Sequence, residues 1–114
     1  MINDLNVLRR LSELILSRKE TQNGDSYTES LFSKGHEYIL KKLSEESAEV
    51  LMASKDLDAE HVVREVADLW FHCLVVMAYH GKRVEDIALE LEKREGVSGI
   101  EGAGPPKRGP ISSF

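Results

Sequence analysis

The chain has 114 residues, 41 % hydrophobic, 31 % charged and only 6 % aromatic, with a formal net charge of -5. That is the size of one domain, and its acidic balance argues against nucleic acid as the main partner, because phosphate contacts need clustered Lys and Arg. One cysteine, Cys73, allows neither an internal disulfide nor a multi-cysteine zinc site, which fits a reducing compartment.

The N-terminal stretch "MINDLNVLRRLSELIL" is amphipathic and broken by charges, unlike a signal peptide. Nothing in the chain approaches a membrane-spanning length. The expectation is a soluble, cytoplasmic protein. Leu5, Leu8, Leu11 and Ile15 recur at helical spacing, so residues 3 to 18 read as a first helix with Asn3 as its N-cap. The polar run "RKETQNGDS" predicts a loop over residues 19 to 26. "YTESLFSKG" reads as a short helical turn broken at Gly35, with Ser26 and Thr28 as residues of N-cap type.

From His36 to about Lys55 the apolar positions Ile39, Leu40, Leu43, Val50 and Leu51 again follow a helical period. "DLDAE" is a short connector, and Asp58 suits the N-cap of a helix over roughly 59 to 80 that Gly81 ends. A connection this short packs the two long helices antiparallel, as a hairpin. Within the second of them, Cys73 reads as a small buried hydrophobe. "VEDIALELEKREG" predicts a last helix near 84 to 95. Residues 97 to 114, rich in Gly, Pro and Ser, have no periodicity and read as a flexible tail after a domain of residues 1 to 96. The fold class is all-α: a bundle of four to five helices around a central antiparallel hairpin. Its small core suits completion by dimerisation.

Helical phase sorts the acids of "KKLSEESAEV". Taking Glu45 as zero, Glu49 lies near ~40° and Glu46 near ~100°, with Ile39 and Val50 at roughly 120° to 140°. Glu46 thus falls within the edge of the apolar stripe and Glu49 borders it, while Glu45 leans towards solvent. On the next helix Glu65 and Asp68 are three apart and share a face. Across an antiparallel hairpin Glu46, Glu49, Glu65 and Asp68 can converge. Two such charges ~6 Å apart repel by roughly 3 kcal/mol at an effective dielectric near 20. Hard divalent cations relieve this best, since Mg²⁺ and Mn²⁺ prefer oxygen ligands. The competing reading is a solvated, charged helix surface with Lys42–Glu46 and Lys41–Glu45 as i,i+4 ion pairs.

The array Glu46-x-x-Glu49, fifteen intervening residues, then Glu65-x-x-Asp68 resembles the ExxE…ExxD signature of all-α nucleoside triphosphate pyrophosphatases of the MazG type. The longer strings "SYTESLFSKGHEYILKKLSEESAEVLMASKD", "EVADLWFHCLVVMAYHG" and "LEKREGVSG" are similar to the phosphoribosyl-ATP pyrophosphatase family of histidine biosynthesis. The similarity extends over about residues 5 to 99. It implies a helical bundle that usually dimerises, and cleavage of phosphoribosyl-ATP to phosphoribosyl-AMP and pyrophosphate with Mg²⁺ (or Mn²⁺).

Carried onto this sequence, the resemblance makes Glu46, Glu49, Glu65 and Asp68 metal ligands, with Glu45, Glu46 and Glu49 as the acids nearest the chemistry. Glu45 would be a further ligand or orient water. Lys42 would contact phosphate, or else pair with Glu46. Lys34 and Lys55 are further phosphate candidates, against a reading as solvated surface. By helical phase His72, one turn past Asp68, reads as a core histidine or one that bonds a carboxylate, rather than as a metal ligand. The "SYTES" segment would reach the ligand or a partner subunit, or serve only as a cap and turn. Ser44 stands where the family often has Gly, and the tail differs from the family's usual charged ending. Two other functions compete: a general nucleotide-pool pyrophosphohydrolase using the same acids, and a non-enzymatic helical dimer module.

Overall fold

The computed structural model describes residues 5–21 and 25–95. It is all-α, with five helices among the described residues: α1 (Asn6–Thr21), α2 (Tyr27–Lys34), α3 (His36–Lys55), α4 (Ala59–Tyr79) and α5 (Val84–Arg94). Asn3, the expected first N-cap, and the tail over 97 to 114 lie outside the described residues. The chain divides into two compact units, Met1–Arg83 and Val84–Phe114.

In the first unit α3 packs most extensively on α4, α1 packs on α4 and α2, and α2 packs on α3. The core of this unit is aliphatic, as the low aromatic content implied. Ile15, Leu31, Ile39 and Val75 are fully buried, with Phe32, Ala53, Leu74 and Ala78 around them. Burial of each larger aliphatic side chain contributes ~1.5–3 kcal/mol. The alternation of these apolar positions with Glu46 and Glu49 on α3 and with Glu65 on α4 is what lets the packed hairpin bring acids together at its edge.

Both bounds of the first helix are corrected: Leu5 is a turn residue ahead of Asn6, and the far end also moves. α1 does not stop at residue 18 but runs on to Thr21. The polar composition of residues 19 to 21 suggested a loop, yet two of them have tertiary partners. Lys19 Nζ donates to the carbonyls of Ala78 and Tyr79 at 2.9 and 3.2 Å, placing a cation at the negative end of α4. Thr21 bonds the Glu29 carboxylate on α2. Arg83 donates to Glu13 at 2.7 Å and ties the end of the unit back to α1.

The helix ends follow local chemistry. Ser26 caps α2 by accepting from Glu29 N at 3.1 Å, and Asp58 caps α4 by accepting from His61 N at 3.1 Å. Gly35 stands between α2 and α3 at φ 100°, a conformation side chains rarely adopt, and so allows one helix to follow the other without a loop. Leu57, in the α3–α4 connector, is a non-glycine residue at φ 60° and is 89 % exposed. A bulky residue there is strained by about 1–2 kcal/mol, which the packed hairpin on either side sustains. In the second unit, α5 carries Glu85 and Asp86 in its first turn and Lys93 and Arg94 in its last, complementing the helix dipole.

Candidate metal centre

The hairpin brings three of the four predicted acids together. Glu46 and Glu49 on α3 and Glu65 on α4 each offer a carboxylate oxygen, and these oxygens all lie within 4.8 Å of one another. Glu46 is only 9 % exposed, Glu65 is half-buried and Glu49 is exposed. Asp68, one turn along α4, is exposed and stands outside this cluster, although its charge still acts on Glu46.

The cluster is electrostatically unfinished. Glu46 Oε2 and Glu65 Oε1 are buried without a hydrogen-bond partner, which is costly for an acceptor that water would otherwise solvate. Burial, then a hydrogen bond shared with Glu49, then the negative charges of Glu49, Asp68 and Glu65 push the Glu46 carboxyl up to about 7. An all-carboxylate set with two orphan oxygens fits a hard divalent cation. The ion would accept both orphan lone pairs and cancel the repulsion that raises Glu46.

The other predicted residues are placed differently from one another. Glu45 is exposed and held by lysines, with Lys42 Nζ at 3.2 Å and Lys41 Nζ at 4.0 Å. Lys42 therefore pairs with Glu45, not with Glu46 as the ion-pair reading had it. The i,i+3 geometry and the burial of Glu46 beneath α4 favour the outward partner. That pairing raises Lys42 above the ordinary lysine range. Lys34 Nζ lies 4.6 Å from the centre of the Tyr38 ring, a cation–π contact. Lys55 is exposed in the last turn of α3.

His72 is buried, but its ring bonds no carboxylate: Nδ1 lies 2.9 Å from the Asp68 carbonyl oxygen and Nε2 lies 3.0 Å from the Tyr27 hydroxyl. The expectation of a carboxylate partner came from helical phase alone. Phase places a histidine four residues after an aspartate on its line but does not say which of that residue's acceptors it meets. Cys73 is partly buried, and burial pushes its thiol up, consistent with an inert hydrophobe.

Sequence reasoning missed the partners of three residues, two of them within the "SYTES" segment it had singled out. His61 has Nε2 3.0 Å from Glu65 Oε2, so it holds one oxygen of a cluster acid, while the other, Oε1, is buried without a partner. The i,i+4 spacing of His61 and Glu65 was the available signal. Tyr27 anchors the start of α2 to His72, which no periodicity of α2 could reveal. Glu29 is 1 % exposed and accepts from Thr21 Oγ1 and from Asp25 N at 2.8 Å, with Arg18 at 3.8 Å. The S-x-x-E spacing of Ser26 and Glu29 is a helix-start signature that marks it.

A family model described as phosphoribosyl-ATP pyrophosphohydrolase matches residues 8–95. The chain is 54 % identical over 95 residues to the phosphoribosyl-ATP pyrophosphatase of Chromobacterium violaceum, covering 83 % of this chain and 88 % of the relative. To the protein of that name from Nitrosospira multiformis it is 52 % identical over 108 residues, 95 % and 89 % of the two chains. To that of Aromatoleum aromaticum it is 48 % identical over 98 residues, 86 % and 91 %. By the extent of the family match and the level of these identities, the chain belongs to the phosphoribosyl-ATP pyrophosphohydrolase family.

Proposed function

We propose that the chain hydrolyses phosphoribosyl-ATP to phosphoribosyl-AMP and pyrophosphate, a step of histidine biosynthesis, in the cytoplasm and with Mg²⁺, for which Mn²⁺ can substitute. The observation that carries this reading is the meeting of Glu46, Glu49 and Glu65 with two buried carboxylate oxygens left unpaired. Family membership supplies the substrate class.

In this reading Glu46, Glu49 and Glu65 hold the cation, with Asp68 as the adjoining fourth acid. A bound divalent cation neutralises phosphate charge and makes water a nucleophile near neutral pH. The chain's own contribution is to fix the acids on two rigid helices, so that little reorganisation is needed when substrate arrives. A carboxylate at the edge of this set would take up the water proton, since acids coupled around one cation share protons among them. Glu45 stays outside this pair and keeps Lys42 extended along the rim, where the lysine can meet a phosphate oxygen. Lys34 and Lys55 are further from the acids in function, as long-range attractors of a polyanion. The catalytic domain on this reading is residues 1 to 96, within which the family match falls.

A second copy of the chain completes the bundle. Support comes from large apolar side chains on the outer faces of the hairpin: Leu40 and Leu51 on α3, and Val63 and Trp70 on α4, from 41 % to 68 % exposed. Such exposure is normal singly but favours an interface when repeated on paired helices. Light scattering at micromolar concentration should give twice the chain mass.

The activity is tested by incubating the protein with phosphoribosyl-ATP, dTTP and dCTP side by side and measuring pyrophosphate release with added Mg²⁺. The expected result is fastest turnover of phosphoribosyl-ATP. Faster turnover of dTTP or dCTP would assign the chain to general nucleotide clearance instead.

A further inference from the structure

The Tyr27–His72 pair lies beside the acids, and the mechanism above does not use it. Tyr27 is the first residue of α2, and His72 is buried on α4, 4 % exposed. Their bond therefore crosses between two helices, 3.0 Å from hydroxyl oxygen to Nε2. The other ring nitrogen, Nδ1, is 2.9 Å from the Asp68 carbonyl oxygen. A carbonyl can only accept, so in the neutral ring Nδ1 carries the proton and Nε2 is the acceptor. The tyrosine must then turn its own proton towards His72. What its oxygen offers to everything else is a pair of acceptor sites with a fixed direction.

The surroundings say what can use them. Through His72 the Tyr27 hydroxyl is linked to the backbone of Asp68, and Lys42, Glu46 and Asp68 all act on it electrostatically, so it lies near the carboxylate cluster. The ring is held from behind, tilted 31° against Phe71 at 6.0 Å and edge-to-face with His72, while 52 % of the residue stays exposed. A phosphate oxygen is itself an acceptor and is repelled by a phenol oxygen whose proton is already given away. The groups of a nucleotide that can donate to it are sugar hydroxyls and base N–H groups, and the exposed ring offers an apolar surface against which a sugar or base can rest.

We propose that Tyr27 is a substrate-binding residue that accepts a hydrogen bond from a ribose hydroxyl of the nucleoside portion, and that His72 is a positioning residue that sets the direction of that acceptor. The assignment rests on the nucleotide-hydrolysing reading above and adds to it the side of the site on which the sugar lies. α2 then works as a wall of the site rather than only a brace for α3. The division of labour follows from chemistry: Lys42 and the acids deal with phosphate and cation, and Tyr27 deals with the uncharged half of the substrate.

The test uses the full chain with phosphoribosyl-ATP and Mg²⁺, in wild type, Tyr27→Phe, His72→Leu and the double variant, with circular dichroism to confirm helix content. Loss of one such contact should raise KM about 3- to 10-fold with kcat changed by less than about twofold. His72→Leu should give a similar rise, and the double variant no more than either single change, because both act through one hydrogen bond. His72→Gln, which returns an acceptor near the Nε2 position, should recover part of the loss. Product inhibition separates sugar from phosphate. The inhibition constant for AMP should rise in Tyr27→Phe, while that for pyrophosphate should not move. An unchanged KM in Tyr27→Phe overturns the proposal, as does weakened inhibition by pyrophosphate with AMP unaffected. If wild type itself fails to release pyrophosphate, the proposed activity falls, and the role of Tyr27 with it. Full wild-type turnover beside an indifferent Tyr27→Phe removes only the latter.

Discussion

Glu29 and Glu46 are the two buried glutamates among the described residues of the first unit, 1 % and 9 % exposed, and they have opposite surroundings. Glu29 is finished: the hydroxyl of Thr21, the Asp25 N–H, the Arg18 guanidinium and the Ser26 cap surround it. The Thr21 hydrogen bond above all holds its carboxyl below the ordinary carboxylate range. Glu46 is unfinished: one oxygen has no partner, its neighbours are acids, and its carboxyl is pushed up to about 7. Burial alone therefore says little about why an acid is inside a protein. The donors around it do: Glu29 is satisfied by the chain itself and holds α1 to α2, whereas Glu46 keeps one oxygen unpaired among other acids, which on the proposed function a cation would occupy.

The contrast can be broken by neutralising each acid in turn. Glu46→Gln, Glu49→Gln or Glu65→Gln should lower pyrophosphate release at least about 100-fold, while the melting temperature of the metal-free protein stays level or rises, because like-charge repulsion is removed. Glu29→Gln should do the reverse. Its melting temperature should fall by several degrees, since an amide cannot accept the same set of donors, and activity at low temperature should remain. A stabilised Glu29→Gln or a fully active Glu46→Gln would erase the distinction.

Titration sharpens the same comparison. Folded Glu46 holds its proton more firmly than in the unfolded chain, so between pH 4.5 and about 7 the folded state binds more protons. Metal-free stability should therefore fall as pH rises through that window, by on the order of 1–2 kcal/mol once water around the exposed Glu49 and Asp68 is allowed for. Glu29 has the opposite sign: its stabilisation is present above the ordinary carboxylate value and is lost as pH falls through its lowered one. Thermal melts of the metal-free protein across pH 3 to 8 should show both limbs, and added Mg²⁺ should flatten only the upper one. At the small end, Lys41→Ala, which removes an exposed pair at 4.0 Å with Glu45, should change stability by less than about 0.5 kcal/mol.

Much of this arrangement was legible in the sequence, for identifiable reasons. Periodicity gave α3, α4 and α5 nearly to the residue, because each is bounded by a strong local signal: Gly35, Asp58, Gly81. The same phase put Glu46 inside the stripe and Glu49 at its border, and a connector as short as "DLDAE" left only the antiparallel pairing. What stayed hidden involved contacts distant in sequence. Residues 19 to 21 are helical because Lys19 and Thr21 find partners on α4 and α2, and a local reading of their polarity points the other way. The Tyr27–His72 bond spans 45 positions and leaves no trace in either helix's pattern. Lys42 chose Glu45 over Glu46 because burial of Glu46, itself a tertiary fact, took that partner away.

The claim that Glu46, Glu49 and Glu65 form a cation cradle is tested most directly by calorimetric titration of the metal-free protein with Mn²⁺ near pH 7, in two buffers of different ionisation enthalpy. Wild type should bind Mn²⁺ and release a fraction of a proton from the Glu46–Glu49 pair, with affinity falling as pH is lowered to 6. Glu46→Gln should bind at least about tenfold more weakly and release no proton. Equal affinity and equal proton release in the two proteins would contradict the account.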